Sequence, residues 1–127
     1  MPKHVLADLD CAALADYAGE ESEYKRLFKR GIDRGRTYWE ASERGKIEQK
    51  DINREVPNAF MVTALSQPID GDVPQLGADF VLGQLWGMAR QNAMNLAYDT
   101  KSNPARDQKV AATIAKNAFS AKNCSLL

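Results

Sequence analysis

Between Ala78 and Tyr98 the chain reads A-D-F-V-L-G-Q-L-W-G-M-A-R-Q-N-A-M-N-L-A-Y, its longest apolar-rich run. At the usual rise per residue this is a helix of about six turns, long enough for the rest of the chain to pack around. It carries two glycines one turn apart, Gly83 and Gly87, with Trp86 beside them. A second long helix is predicted over residues 20–46. There Tyr24, Leu27, Phe28, Gly31, Ile32, Gly35, Tyr38, Trp39 and Ser42 repeat at three-then-four spacing and form one continuous face. Glu20, Glu21 and Glu23 place negative charge at its start, where the helix dipole is positive.

Glycine inside a helix costs about 1 kcal/mol relative to alanine, so two on one face need a compensating reason. Gly31-x-x-x-Gly35 and Gly83-x-x-x-Gly87 each leave a flat groove into which another backbone can come close. The preferred reading is that the two long helices cross at these glycines, with Tyr38, Trp39 and Trp86 packed around the crossing. Two other readings stay open: each groove accepts a bulky side chain from elsewhere, or the grooves line a ligand pocket.

The remaining segments supply shorter helices. Residues 7–18 form one, with Asp8 or Asp10 as its N-terminal cap, an inward set of Leu9, Ala13, Leu14 and Tyr17, and Gly19 as its end. Residues 1–6 read as a disordered arm. Residues 48–55 are a short helix or turn. Residues 57–66 are a helix opened by Pro57, with a strand competing over 59–65. Residues 67–77, with two prolines and two glycines, are a loop. Its Asp70-Gly71-Asp72 is a turn, because the remaining ligands of a calcium loop are absent. Pro74 or Asp79 opens the central helix. Asn103-Pro104 opens the last one, whose apolar stripe is Val110, Ala111, Ile114, Ala115, Ala118 and Phe119. The expected fold is all-α: one domain over residues 1–127, a compact bundle of about five helices and no sheet.

Composition narrows the function. Lys+Arg and Asp+Glu number 17 each, so no global field draws the chain to nucleic acid or to an anionic membrane. No run reaches the length of uncharged apolar sequence that a membrane span needs. His4 is the one histidine. There is no nucleophile elbow, phosphate loop, dinucleotide fingerprint or zinc-protease motif. Nothing forces two carboxylates into a shared site. The expectation is a non-enzymatic protein with no metal and no cofactor. Lys25, Arg26, Lys29, Arg30, Arg34 and Arg36 form the one charge cluster, with Asp33 opposing it. A solvated basic side is preferred over an anion-binding face, because no aromatic residues are interleaved there.

Cys11 and Cys124 stand near opposite ends of the chain, neither a metal spacing nor a C-x-x-C pair. They are either two buried thiols or a disulfide joining the termini, and the disulfide is preferred because domain termini often lie close together. It would imply an oxidising compartment. Residues 1–10 hold no apolar signal-peptide core. The expected location is therefore periplasmic or secreted if a leader has been removed, and otherwise cytoplasmic.

Cys11, Gly31, Gly35, Gly83, Cys124 and the segment Asp79-Phe80-Val81-Leu82-Gly83 resemble a pattern in small secreted helical proteins of Gram-negative bacteria. More distantly the chain is similar in style to the amidase-immunity (Tai) family of type VI secretion, compact helical periplasmic proteins that block a toxic cell-wall amidase. The resemblance implies a binding protein that acts through a protein partner, and it carries over no inhibitory residue. The alternative is a helical bundle that binds a small ligand in an aromatic pocket of Tyr38, Trp39 and Trp86. A homodimer is left open. An enclosed aromatic pocket would favour the ligand, and a flat exposed apolar patch would favour the partner.

Overall fold

The structure, a computed structural model, describes residues 3–44, 77–99 and 107–127. Four α-helices and a terminal turn account for them: α1 (Lys3–Ala18), α2 (Glu21–Glu43), α3 (Ala78–Tyr98), α4 (Gln108–Ala121) and a 3-10 turn at Cys124–Leu126. There is no strand among the described residues, so this part of the chain is all-α. The elements expected over residues 48–55 and 57–66, the loop over 67–76 and the helix start at Asn103-Pro104 lie outside the described residues.

Local chemistry sets each boundary. Gly19 ends α1 in the left-handed region, with φ 78°. Its N–H donates to Asp16 and that of Glu20 donates to Ala15, the paired bonds of a Schellman turn. The chain therefore reverses at once into α2, whose first turn carries Glu21 and Glu23. Gly77, in an extended conformation, precedes α3, and Asp99 closes it at φ 43°. The Asp107 side chain caps α4 by accepting from the Lys109 N–H at 2.8 Å. Asn123, again left-handed at φ 54°, turns the chain into the short segment that carries Cys124.

The helix at the centre is α1, not the long apolar helix α3. Every described residue of α1 from Asp8 to Ala15 except Asp10 is buried, and Val5 is fully buried near the helix start. Residues 3–6 therefore belong to the helix and are not an arm. A helix that is apolar all round has neighbours on every side, and α1 touches α2, α3 and α4. Its alanines let those neighbours come close. The order of contacts along the helices fixes their directions. Asp8 meets Arg30 and Arg34, so α2 runs back along α1. Arg36 meets Asp79, and Phe28 meets Trp86, so α3 runs back along α2. Lys116 lies 3.4 Å from Glu20 while Cys124 meets Cys11, so α4 runs antiparallel to α1.

The long helices do not cross at paired glycines. Gly31 faces α1: a Cβ there would lie 3.0 Å from Leu9 Cδ2. Gly35 faces α3, but what fills its notch is a side chain, because a Cβ would lie 2.3 Å from Leu82 Cδ2. Gly83 and Gly87 are exposed, and a Cβ on either would meet nothing within 4 Å among the described residues. The reason is rotational. The buried residues of α3 are Val81, Leu82, Ala89, Ala93 and Ala97, and at 3.6 residues per turn the two glycines fall on another side.

The sulfurs of Cys11 and Cys124 lie at disulfide distance, with Cα atoms 5.6 Å apart and both side chains buried. Away from that junction α4 docks through small residues. Ala111, Ala115 and Ala97 form a small buried cluster beneath Tyr17 and Tyr98, with Phe119 reaching the main core.

Two stability measurements check this architecture. Gly35→Leu should lower unfolding free energy by about 1–3 kcal/mol through overpacking against Leu82, whereas Gly83→Ala should raise it by about 0.5–1 kcal/mol. Chemical denaturation of both variants decides whether the two glycines differ in this way. Reduction of the cysteine pair should cost up to about 4–5 kcal/mol by loop-entropy reasoning. Hydrogen exchange should then show α4 losing protection before α2 does. Unchanged protection of α4 after complete reduction would contradict that dependence.

Candidate functional site

The aromatic residues nominated from sequence do not gather in one place. Trp39 is buried in the C-terminal half of α2, with Tyr38 packed against the same core. Trp86 lies against the N-terminal half of α2, stacked on Tyr24 at 5.9 Å and edge-on to Phe28 at 4.9 Å. Phe28 and Trp39 are separated by about 16 Å along the helix axis. Arg90 covers the outer side of the Trp86 cluster, 5.9 Å from the Trp86 ring centre and 5.8 Å from that of Tyr17. Its guanidinium also lies 3.4 Å from Asp16. Tyr17 meets Tyr98 edge-on at 6.2 Å. No sequence pattern marks Arg90 or Tyr98 for these roles, because contacts between helices leave no local signature.

The basic cluster on α2 is paired throughout. Lys25 bonds to Glu21, Arg26 to Glu23 at 2.7 Å and Lys29 to Asp33 at 2.6 Å. Arg36 reaches across to Asp79 on α3 at 2.8 Å. The hydrogen bond from Arg36 holds the Asp79 carboxyl below its ordinary range, and Asp79 raises Arg36 in turn. Both groups are fully exposed, so this contact contributes little to stability. Asp79 is therefore an inter-helix contact as well as an acidic residue in the first turn of α3. With a carboxylate beside each cation of the cluster, Asp8 serving both Arg30 and Arg34, most of the α2 charge is neutralised locally.

Arg30 and Arg34 have a different partner. Asp8, expected as a helix cap, lies inside α1 and is 0% exposed. Arg30 donates to Asp8 Oδ1 through Nη2 at 2.6 Å and through Nε at 3.2 Å. Arg34 Nη1 donates to Oδ2 at 3.0 Å. Both oxygens of a carboxylate cut off from water are thus met by charged donors, which offsets the cost of burying it.

The exposed side of α3 has the opposite character. Phe80 is 45% exposed and Met88 37%. Gly83, Gln84, Gly87, Gln91 and Asn95 share that exposed surface, and the Gln91 amide donates to Asn95 at 3.0 Å. From Phe80 to Tyr98 the one charged residue is Arg90. A solvated helix face normally carries charge. This one carries amides, apolar side chains and two glycines whose cost nothing among the described residues offsets.

Comparison with known protein families, curated proteins and solved structures finds no match for this chain.

Removing the buried carboxylate tests how much the α1–α2 pair depends on it. Asp8→Ala should destabilise by about 3 kcal/mol, because two guanidiniums lose their partner and one of them, Arg30, is 22% exposed. Arg36→Ala should cost clearly less, because both partners of that pair face solvent. Equal effects in urea denaturation would show that Asp8 has no special weight.

Proposed function

We propose that this is a non-enzymatic binding protein that acts through a protein partner docked on the outer side of α3. The observation that carries the reading is Gly83-x-x-x-Gly87 on an exposed, nearly uncharged helix face flanked by Phe80 and Met88. The fold offers a precedent for what such a notch takes: at Gly35 the missing side chain is replaced by the branched end of Leu82. The partner is therefore a helix with an uncharged face that projects a bulky aliphatic side chain, seated between Phe80 and Met88. The cysteine pair supports a working place in an oxidising compartment. Together with the resemblance to secreted helical proteins, it makes an immunity-like role the specific form of this proposal. The small-ligand alternative needs Tyr38, Trp39 and Trp86 to frame a common space, and Trp86 instead packs on Tyr24 and Phe28.

Photo-crosslinking in the host cell tests the docking face. A benzophenone residue at Gln84 should capture one protein, and the same group at Lys29 on α2 should not. The captured protein, once purified, should bind wild-type chain and lose at least tenfold in affinity to a Gly83→Leu, Gly87→Leu variant. Such a loss is about 1.4 kcal/mol. Capture of a second copy of this chain would assign the face to a homodimer instead. Equal capture from both positions, or unchanged affinity in the variant, would remove α3 as the docking surface.

A further inference from the structure

A cleft of about 100 Å³ opens where α1, α3 and the turn after α4 meet. Leu14, Ala93 and Leu96 line its apolar part, and Asp10, Asn92 and Lys122 supply its polar groups. Asp10 directly precedes Cys11, and Lys122 stands two residues before Cys124. The contact that joins the two cysteines therefore also brings this carboxylate and this ammonium to one opening.

Asp10 differs from the other acidic residues of α1. Asp8 is held by two guanidiniums and Asp16 has Arg90 at 3.4 Å. No hydrogen bond or ion pair within 4 Å reaches the Asp10 carboxylate among the described residues. Lys122 attracts it from a distance without closing a pair, and burial dominates, holding the carboxyl above its ordinary range. A carboxylate partly stripped of water, with no donor of its own, gains most from a donor that carries positive charge.

We infer that this cleft binds a small ammonium-bearing molecule with a short apolar body, the ammonium donating to Asp10 and the body lying on Leu14, Ala93 and Leu96. A cleft of this size admits only a short body, on the order of a few carbons. An α-amino group matches best, because the other polar groups of the cleft, Asn92 and Lys122, are donors able to bond to the carboxylate or carbonyl oxygen beside it. That group occurs both on a free small amino acid and on a peptide N-terminus. The cleft does not use the glycines on the outer side of α3.

Backbone-amide NMR titration of the whole chain tests the site with n-propylammonium, L-alanine, L-alanyl-L-alanine and propionate as probes. The ammonium-bearing probes should shift the amides of Asp10, Asn92 and Ala93 saturably, and propionate should not. Asp10→Asn should weaken every ammonium probe at least tenfold. Lys122→Met should weaken L-alanine while leaving n-propylammonium unchanged. Tighter binding of the dipeptide than of L-alanine identifies a peptide N-terminus as the ligand, and the reverse identifies a free amino acid. Either result supports the site. Propionate binding as well as n-propylammonium would overturn the inference. So would ammonium shifts that persist in Asp10→Asn, or the absence of shifts with every probe. The contrast between propionate and n-propylammonium is read on wild-type protein, so it decides the matter even if Asp10→Asn does not fold.

Discussion

A carboxylate without access to water sits inside the helix that every other helix touches. Moving Asp8 out of solvent costs several kcal/mol, and two guanidiniums of α2 offset that cost by meeting both of its oxygens. Arg30 and Arg34 are four residues apart, about one helical turn. They can reach one carboxylate together at a single axial register of α1 against α2. Leu9, the next residue, fits against Gly31, between the two arginines in sequence, so packing and charge select the same register. Sliding either helix by a turn would leave the carboxylate buried without its partners. The hairpin is thereby specified by a penalty on the alternatives as much as by attraction in the native arrangement.

From that hairpin the remaining helices follow. Leu82 of α3 enters the notch at Gly35, one turn beyond Gly31, and Trp86 settles on Tyr24 and Phe28. The fourth helix has less to hold it, since its inward residues are largely alanines. The cysteine contact at its far end supplies what that narrow stripe lacks. Stability in this fold is thus uneven: charge and large side chains concentrate between α1, α2 and α3, while α4 relies on small residues and the contact of Cys124 with Cys11.

The two long helices are legible in the sequence because their apolar residues recur at helical spacing. Gly19 as a helix end is readable for the same kind of local reason. The centrality of α1 is not, because a helix buried on all sides has no polar stripe to reveal its orientation. Asp8 looks like a cap, since an acidic residue near a helix start usually is one; its true partners lie more than twenty residues away on another helix. The basic cluster looks opposed by Asp33 alone for a related reason, as two of its partners, Asp8 and Asp79, come from other elements. Spacing alone does not say which way Gly83 and Gly87 point. The cysteines that flank the cleft are plain in the sequence, but the cleft itself requires three segments brought together in space.

The junction of Cys11 with Cys124 also changes how the chain carries load. When it is bonded, nearly all of the described fold lies inside one covalent ring. A pull applied before Cys11 and after Cys124 passes from α1 directly to the last turn, and the helices between feel no tension. An unfolding motor that draws a polypeptide in from one end would meet a closed loop and would have to admit two strands side by side. A single cut in the backbone between the cysteines would likewise open the ring without separating the pieces. Mechanical persistence in this protein is thus a property of chain topology, distinct from the packing free energy that keeps its helices in register.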